Sequence, residues 1–151
     1  MTTRVEIITA ARSMVGRPYQ AQGRGTVAVP GFDCAGVMIK TGHLTNVTAF
    51  DILGYSSEPD GETFERLLDE SDALVKLESF WGAQVADILA CDFGKGVQHV
   101  AIVSSILEHR RDWRRFTVIH ATRAHGVNEA PLPMLYYKAL KSAYQIKGIV
   151  D

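Results

Sequence analysis

The chain has 151 residues, which is the size of one ordinary domain and too short for two separate cores. Apolar residues make up 46% of it and charged residues 22%, a globular balance that excludes a disordered chain, a collagen-like fibre and a coiled coil. With 16 basic and 17 acidic residues the net charge is −1, which argues against general binding to nucleic acid or to an anionic membrane. We therefore expect a single domain over residues 1–151.

The chain carries no obvious membrane or export signal. No apolar run approaches the ~18 residues that a membrane-spanning helix needs, and the first residues lack the apolar segment of a signal peptide. Two cysteines, Cys34 and Cys91, are too few for a disulfide framework or a four-ligand zinc site. Both thiols are therefore expected to be free. Cys91 follows a predicted strand and is interpreted as a buried or partly exposed free thiol.

Helical patterns occupy the first half of the chain. Thr2 or Thr3 can cap a first helix, and a glycine-rich loop follows over residues 20–31. Asp33 suits the N-cap of a second helix, and a third is predicted to start near residues 60–62. The apolar positions that indicate these helices are Val5, Ile8, Ala11 and Val15 in the first, Cys34, Val37, Met38 and Thr41 in the second, and Phe64, Leu67 and Leu68 in the third.

Strand patterns occupy the second half. Short apolar or alternating segments at 87–90, 99–104 and 116–121 predict strands, with two further candidates at 127–129 and 144–149. Turn residues separate them, and the polar stretch 108–115 reads as a charged hairpin tip. Helices followed by strands indicate an α+β fold rather than an alternating parallel one.

Cys34 is the candidate nucleophile. It directly follows the predicted N-cap Asp33, where unpaired backbone N–H groups and the helix dipole stabilise a thiolate. We therefore expect a thiol pKa well below the ~8.5 of a free cysteine. The same N–H groups can stabilise an oxyanion. The alternative is that Cys34 is a small apolar residue facing the core.

A cysteine nucleophile needs a base, and two of the histidines suit that role. His43 points to the opposite side of the second helix from Cys34, and His109 and His125 fall in turns. His99 and His120 lie on predicted strands, so neighbouring strands would direct both imidazoles toward Cys34. One would act as the base and the other would fix its tautomer. The alternative is that both are hydrogen-bonded core residues.

Several motifs, in order along the chain, resemble the NlpC-type peptidases, a papain-like family of cell-wall cysteine endopeptidases. The matching segments are Gly16-Arg17-Pro18-Tyr19, Gly31-Phe32-Asp33-Cys34-Ala35-Gly36, Val85-Ala86-Asp87-Ile88-Leu89, His99-Val100-Ala101-Ile102 and Val118-Ile119-His120-Ala121. A further segment, Tyr55-Ser56-Ser57-Glu58-Pro59-Asp60-Gly61, is similar to the phage and prophage tail-associated branch of this family.

The resemblance implies specific roles for these residues. Cys34, His99 and His120 would form the catalytic triad, and Tyr19 and Asp33 would bind the free amine of a peptide stem. Two departures stand out: Ala35 replaces a serine that shares in amine recognition, and Ala86 replaces a glycine. The implied fold is papain-like α+β, with N-terminal helices packed on an antiparallel sheet.

The implied function is hydrolysis of an amide bond in peptidoglycan stem peptides, typically between D-glutamate and the diamino acid, with no metal or organic cofactor. Phage tail proteins are candidate partners, and the expected location is a phage tail or the cytoplasm before release. Three alternatives remain open: a non-catalytic tail or wall-binding component, a related acyltransferase, and an amidase with another substrate. A basic patch around Trp113, with Arg110, Arg111, Arg114 and Arg115, is interpreted as a solubilising hairpin tip.

Overall fold

The computed structural model describes residues 1–51 and 61–151, with side chains from residue 64 onward in the second range. The segment that resembles the tail-associated branch lies almost entirely outside the described residues. In chain order the elements are α1 (Arg4–Arg12), α2 (Cys34–Leu44), α3 (Gly61–Glu70), β1 (Leu74–Lys76), β2 (Ile88–Asp92), β3 (Val97–Ile106), β4 (Phe116–Thr122), β5 (Gly126–Pro131), α4 (Met134–Lys138) and β6 (Leu140–Ile146).

The first two helices begin at the caps that the sequence predicts. Thr3 caps α1 in a capping box, since its side chain accepts from the Glu6 N–H while the Glu6 carboxylate accepts from the Thr3 N–H. Asp33 caps α2 through the Gly36 N–H. In α1, however, Ile7, rather than the predicted Val5, packs in the core, and Val5 is 75% exposed.

Six antiparallel strands form one sheet in the order β1-β6-β2-β3-β4-β5. The central β2, β3 and β4 match the predicted strands, and β6 lies a few residues earlier than expected. The strand β1 and the short helix α4 are missing from the sequence prediction. The α+β class, with helices on an antiparallel sheet, is confirmed.

The sheet separates two apolar cores. On one face, Val100 and Ile102 of β3 belong to the core that α1, α2 and α3 share. On the other face, Ala101 and Val103 belong to a second core, against which Tyr136 of α4 packs. His99 lies opposite Cys91 of β2, where the register of the two strands shifts and strict alternation ends.

A glycine-rich loop fixes the start of α2. A Cβ atom on Gly36, in the first turn, would lie 2.0 Å from the carbonyl oxygen of Gly23. A Cβ atom on Gly23 would in turn lie 2.2 Å from the carbonyl oxygen of Gly31. Because only glycine permits these approaches, the loop is held directly against the N-terminal turn that carries Cys34.

None of the helices in the described ranges is long and apolar enough to cross a membrane.

Candidate active site

Cys34 is the first residue of α2, as predicted, and is partly exposed. Its Sγ lies 4.0 Å from the carbonyl oxygen of Gln98 in β3. The thiol therefore reaches the strand one residue before His99. Within the described residues, no hydrogen bond joins the thiol directly to the His99 imidazole.

The pKa of the Cys34 thiol differs from the sequence-based expectation. Desolvation by the surrounding protein raises it to about 11, and the Asp33 carboxylate raises it as well. Backbone N–H groups of Val100, Ala35 and Cys34 itself act in the opposite direction but are outweighed. The expectation of a pKa well below that of a free cysteine is therefore wrong, because desolvation of the sulfur by the surrounding protein has a larger effect than the helix N-terminus.

His99 and His120 form a hydrogen-bonded pair. Nε2 of His99 lies 2.8 Å from Nδ1 of His120, and the side chains come from the neighbouring strands β3 and β4. The two residues are 7% and 1% exposed, so water does not replace this bond. The structure thus brings the two strand histidines together, and His125, in the turn after β4, lies close enough to lower the pKa of His120.

Both imidazoles are neutral at physiological pH. Burial lowers the pKa of His99 to about 3, with a further decrease from neighbouring His120. Burial likewise lowers the pKa of His120 to about 4, and His125 adds to that effect. A neutral pair sharing one hydrogen bond must place a proton on one of the two facing nitrogens.

The shared hydrogen bond has a chemical consequence for His99. If the proton lies on its Nε2, this atom donates to Nδ1 of His120 and leaves Nδ1 of His99 as a proton acceptor. That tautomer suits a general base whose second nitrogen is oriented by a partner. The arrangement can therefore accept a proton at Nδ1 and hold the resulting charge through His120.

Asp33 is buried and strongly hydrogen-bonded. Its Oδ1 accepts from the Gly36 N–H at 2.7 Å, and its Oδ2 accepts from the Gln22 N–H at 2.8 Å. The buried guanidinium of Arg24 lies 3.4 Å from Oδ1 and also pairs with Asp51. Asp33 thus joins α2 to the preceding loop. Its predicted part in binding an amine stays a prediction, and the Arg24 partner was not foreseen.

Tyr19 lies at the edge of the same region. It pairs with Phe32 in a short parallel bridge, just before the cap of α2. The guanidinium of Arg123 lies over its ring, 5.8 Å from the centroid. Burial raises the pKa of the Tyr136 phenol in α4, and Cys34, Cys91 and Tyr19 raise it further. The predicted contact of Tyr19 with substrate remains a prediction.

Tyr136 is a site residue that the sequence analysis missed. Its ring centroid lies 4.7 Å from that of His99 and 5.6 Å from that of His120. It lies on a five-residue helix that follows Pro133, a segment too short for a helical period to be visible. No sequence signal on α4 pointed to the site.

Cys91 lies next to the histidine pair, whereas the basic patch forms a separate turn. Cys91 is fully buried opposite His99 in the β2–β3 register, and burial raises its pKa to about 12. Arg115 donates to the carbonyls of Glu108, Arg110 and Trp81, which orders the 108–115 turn. Among the described residues, no group of three or more His, Cys, Asp or Glu side chains is placed to hold a metal ion.

A scan against protein-family models gives no match, and a search of curated protein sequences gives none either.

Comparison with solved structures is informative. The NlpC/p60 domain of the peptidoglycan hydrolase SagA aligns with a TM-score of 0.60 and 21% identity, covering 96% of this chain and 100% of that domain. RipD from Mycobacterium tuberculosis aligns with a TM-score of 0.58 and 14% identity, covering 98% of each chain. It is described as a non-catalytic NlpC/p60 domain protein adapted to peptidoglycan binding. The endolysin LysIME-EF1 aligns with a TM-score of 0.61 and 12% identity, covering 97% of this chain and 65% of the endolysin. These structural neighbours show that the chain has the fold of NlpC/p60 domains.

Proposed function

We propose that this protein is a cysteine endopeptidase that hydrolyses an amide bond in peptidoglycan stem peptides. The observation that carries the proposal is the 2.8 Å hydrogen bond between His99 and His120, next to the strand position that the Cys34 thiol contacts. Cysteine, base and orienting residue are the three parts that nucleophilic amide hydrolysis needs. The fold shared with a peptidoglycan hydrolase and an endolysin supports a cell-wall substrate.

In the proposed reaction, Nδ1 of His99 removes the proton from Cys34 as the sulfur attacks the scissile carbonyl. Backbone N–H groups at the start of α2 stabilise the oxyanion, and Tyr19 assists. The imidazolium then protonates the leaving amine, and a thioester remains on Cys34. Water activated by His99 releases the acid and regenerates the thiol.

The resting protonation states set a requirement on this reaction. With the thiol pKa raised to about 11 and the His99 pKa lowered to about 3, the neutral thiol and neutral imidazole predominate. Proton transfer is therefore unfavourable before substrate binds. The proposed reaction therefore couples proton transfer to the attack of the sulfur on the scissile carbonyl.

The finer assignments are part of the same proposal. Asp33 and Tyr19 bind the stem on the side before the scissile bond, which lies between D-glutamate and the diamino acid. The protein acts as a phage or prophage tail component, with tail proteins as partners. The similarity of residues 55–61 to the tail-associated branch supports this placement.

A second candidate is a non-catalytic peptidoglycan-binding domain on the same fold. Two observations favour it: the raised thiol pKa, and the neighbour RipD, which is itself described as non-catalytic. In that case the surface around Cys34 would bind the stem peptide without cleaving it.

Mass spectrometry of reaction products separates the two candidates. Purified peptidoglycan and a free stem tripeptide are each incubated with the parent protein and with Cys34→Ala. The endopeptidase predicts new peptide termini with the parent protein only. Binding is measured in parallel by co-sedimentation of each protein with the insoluble peptidoglycan. Equal binding by both proteins, with no cleavage of either substrate, would establish the binding domain instead.

A further inference from the structure

Tyr136 contacts both members of the histidine pair. Besides the two centroid distances given above, its ring meets that of His120 edge-to-face, with an interplanar angle of 80°. The contact with His99 is tilted, at 52°. One aromatic side chain from α4 therefore touches both rings that share the Nε2–Nδ1 hydrogen bond.

The Tyr136 ring is itself held in place. Phe93, which follows β2, packs against it edge-to-face at 5.3 Å. The carbonyl of Tyr136 accepts from the Ala139 N–H at 3.0 Å, which closes the last turn of α4. The side chain is half-buried against the second core. The orientation of the Tyr136 ring is thus fixed by packing against Phe93 and by its own helix.

The contact is made by the ring and not by the hydroxyl. In the described part of the chain, the phenol oxygen of Tyr136 makes no hydrogen bond. The adjacent Tyr137 provides a contrast, because its hydroxyl donates to the carbonyl of Arg111 at 3.1 Å and its ring faces Trp81. The two neighbouring tyrosines therefore differ in their contacts, since Tyr136 contacts the histidines through its ring and Tyr137 forms a hydrogen bond through its hydroxyl.

We propose that the ring of Tyr136 is a positioning group, which holds the two imidazoles in their hydrogen-bonded orientation and keeps water away from the bond between them. A hydrogen bond is strengthened when its surroundings are apolar and exclude competing water. The effect of Tyr136 on catalysis rests on the proposed function. Its effect on the imidazole pair does not, since that geometry exists without substrate.

Other titratable groups also face the pair. Cys91 lies opposite His99 on β2, Cys34 contacts β3 from α2, and His125 follows β4. Desolvation is the largest cause of the low pKa of both imidazoles. Removing the Tyr136 ring admits water and raises the pKa of His99, whereas removing only the hydroxyl leaves the apolar cover intact.

The test is an NMR titration of isotope-labelled histidines in the parent protein, Tyr136→Phe, Tyr136→Leu and the control Tyr137→Leu. We expect Tyr136→Leu to raise the His99 midpoint by about one pH unit or more, and Tyr136→Phe and Tyr137→Leu to leave it unchanged. An unchanged midpoint in Tyr136→Leu would overturn the proposal, as would equal shifts in Tyr136→Phe and Tyr136→Leu. Tyr136→Met, which fills a similar volume, takes the place of Tyr136→Leu should the latter not fold.

Kinetics on a stem peptide provide the second readout. Tyr136→Leu is expected to lower kcat about tenfold with little change in KM, because misplaced groups slow the chemical step. Tyr136→Phe is expected to restore the parent kcat. Since the titration needs no substrate, a parent protein that cleaves nothing would refute the proposed function while the titration still decides the role of Tyr136.

Discussion

At the scale of single residues, the chemistry depends on how burial changes the acidity of Cys34. We predict that iodoacetamide alkylates Cys34 slowly at pH 7 and that the rate rises through a midpoint near the raised pKa of about 11. The reason is that only the thiolate reacts, and desolvation disfavours it. The pH dependence of the alkylation rate measures this midpoint, with Cys34→Ala as the control for labelling at Cys91. A midpoint below that of a free thiol would contradict this account of the site.

At the scale of elements, Asp33 joins the 20–31 loop to α2, because its carboxylate accepts hydrogen bonds from both. We predict that Asp33→Asn lowers the free energy of unfolding by about 1–3 kcal/mol, because an amide cannot accept from every partner of the carboxylate and leaves buried Arg24 less well paired. Chemical denaturation measures this loss. A role of Asp33 in substrate binding is tested separately. KM is measured for the parent protein and for Asp33→Asn, each with stem peptides whose N-terminus is free or acetylated. If Asp33→Asn raises KM only for the peptide with the free amine, Asp33 binds that amine. If KM changes equally for both peptides, Asp33 acts only as a helix cap.

The elements also show what the sequence could and could not predict. The start of α2 could be predicted because Asp33 is a strong capping residue. The strands β3 and β4 could be predicted because each is a short, mostly apolar segment bounded by turn residues. The three residues of β1 and the five of α4 are too few to display a period, so both were missed. The pairing of His99 with His120 could be predicted because both residues lie on strands that were expected to be neighbours. The raised thiol pKa and the Tyr136 contact depend on tertiary packing, which no local pattern encodes.

At the scale of the whole molecule, the two buried histidines make stability depend on pH. Their pKa values are lowered from 6.5 to about 3 and about 4, so below pH 6.5 the unfolded chain binds protons that the folded chain does not. Stability is therefore predicted to fall as the pH decreases from 6.5 toward 4, by up to about 1.4 kcal/mol per pH unit for each histidine. Urea denaturation at pH 7, 6 and 5 measures this dependence.

The control for that measurement is the double variant with His99→Gln and His120→Gln, which has no imidazole at either position. Its stability should decrease less steeply with acidification than that of the parent. Parallel pH dependences of the two proteins would show that the imidazoles are not the groups that take up protons on unfolding.

The most direct test of the central claim compares kcat/KM on one stem peptide for the parent, Cys34→Ala, His99→Ala, His120→Ala and His120→Gln. The account predicts no hydrolysis without Cys34, a nearly equal loss in His99→Ala, a smaller loss in His120→Ala, and partial recovery in His120→Gln, whose amide oxygen can accept the hydrogen bond from His99 Nε2. Parent-like rates in Cys34→Ala and His99→Ala would contradict it.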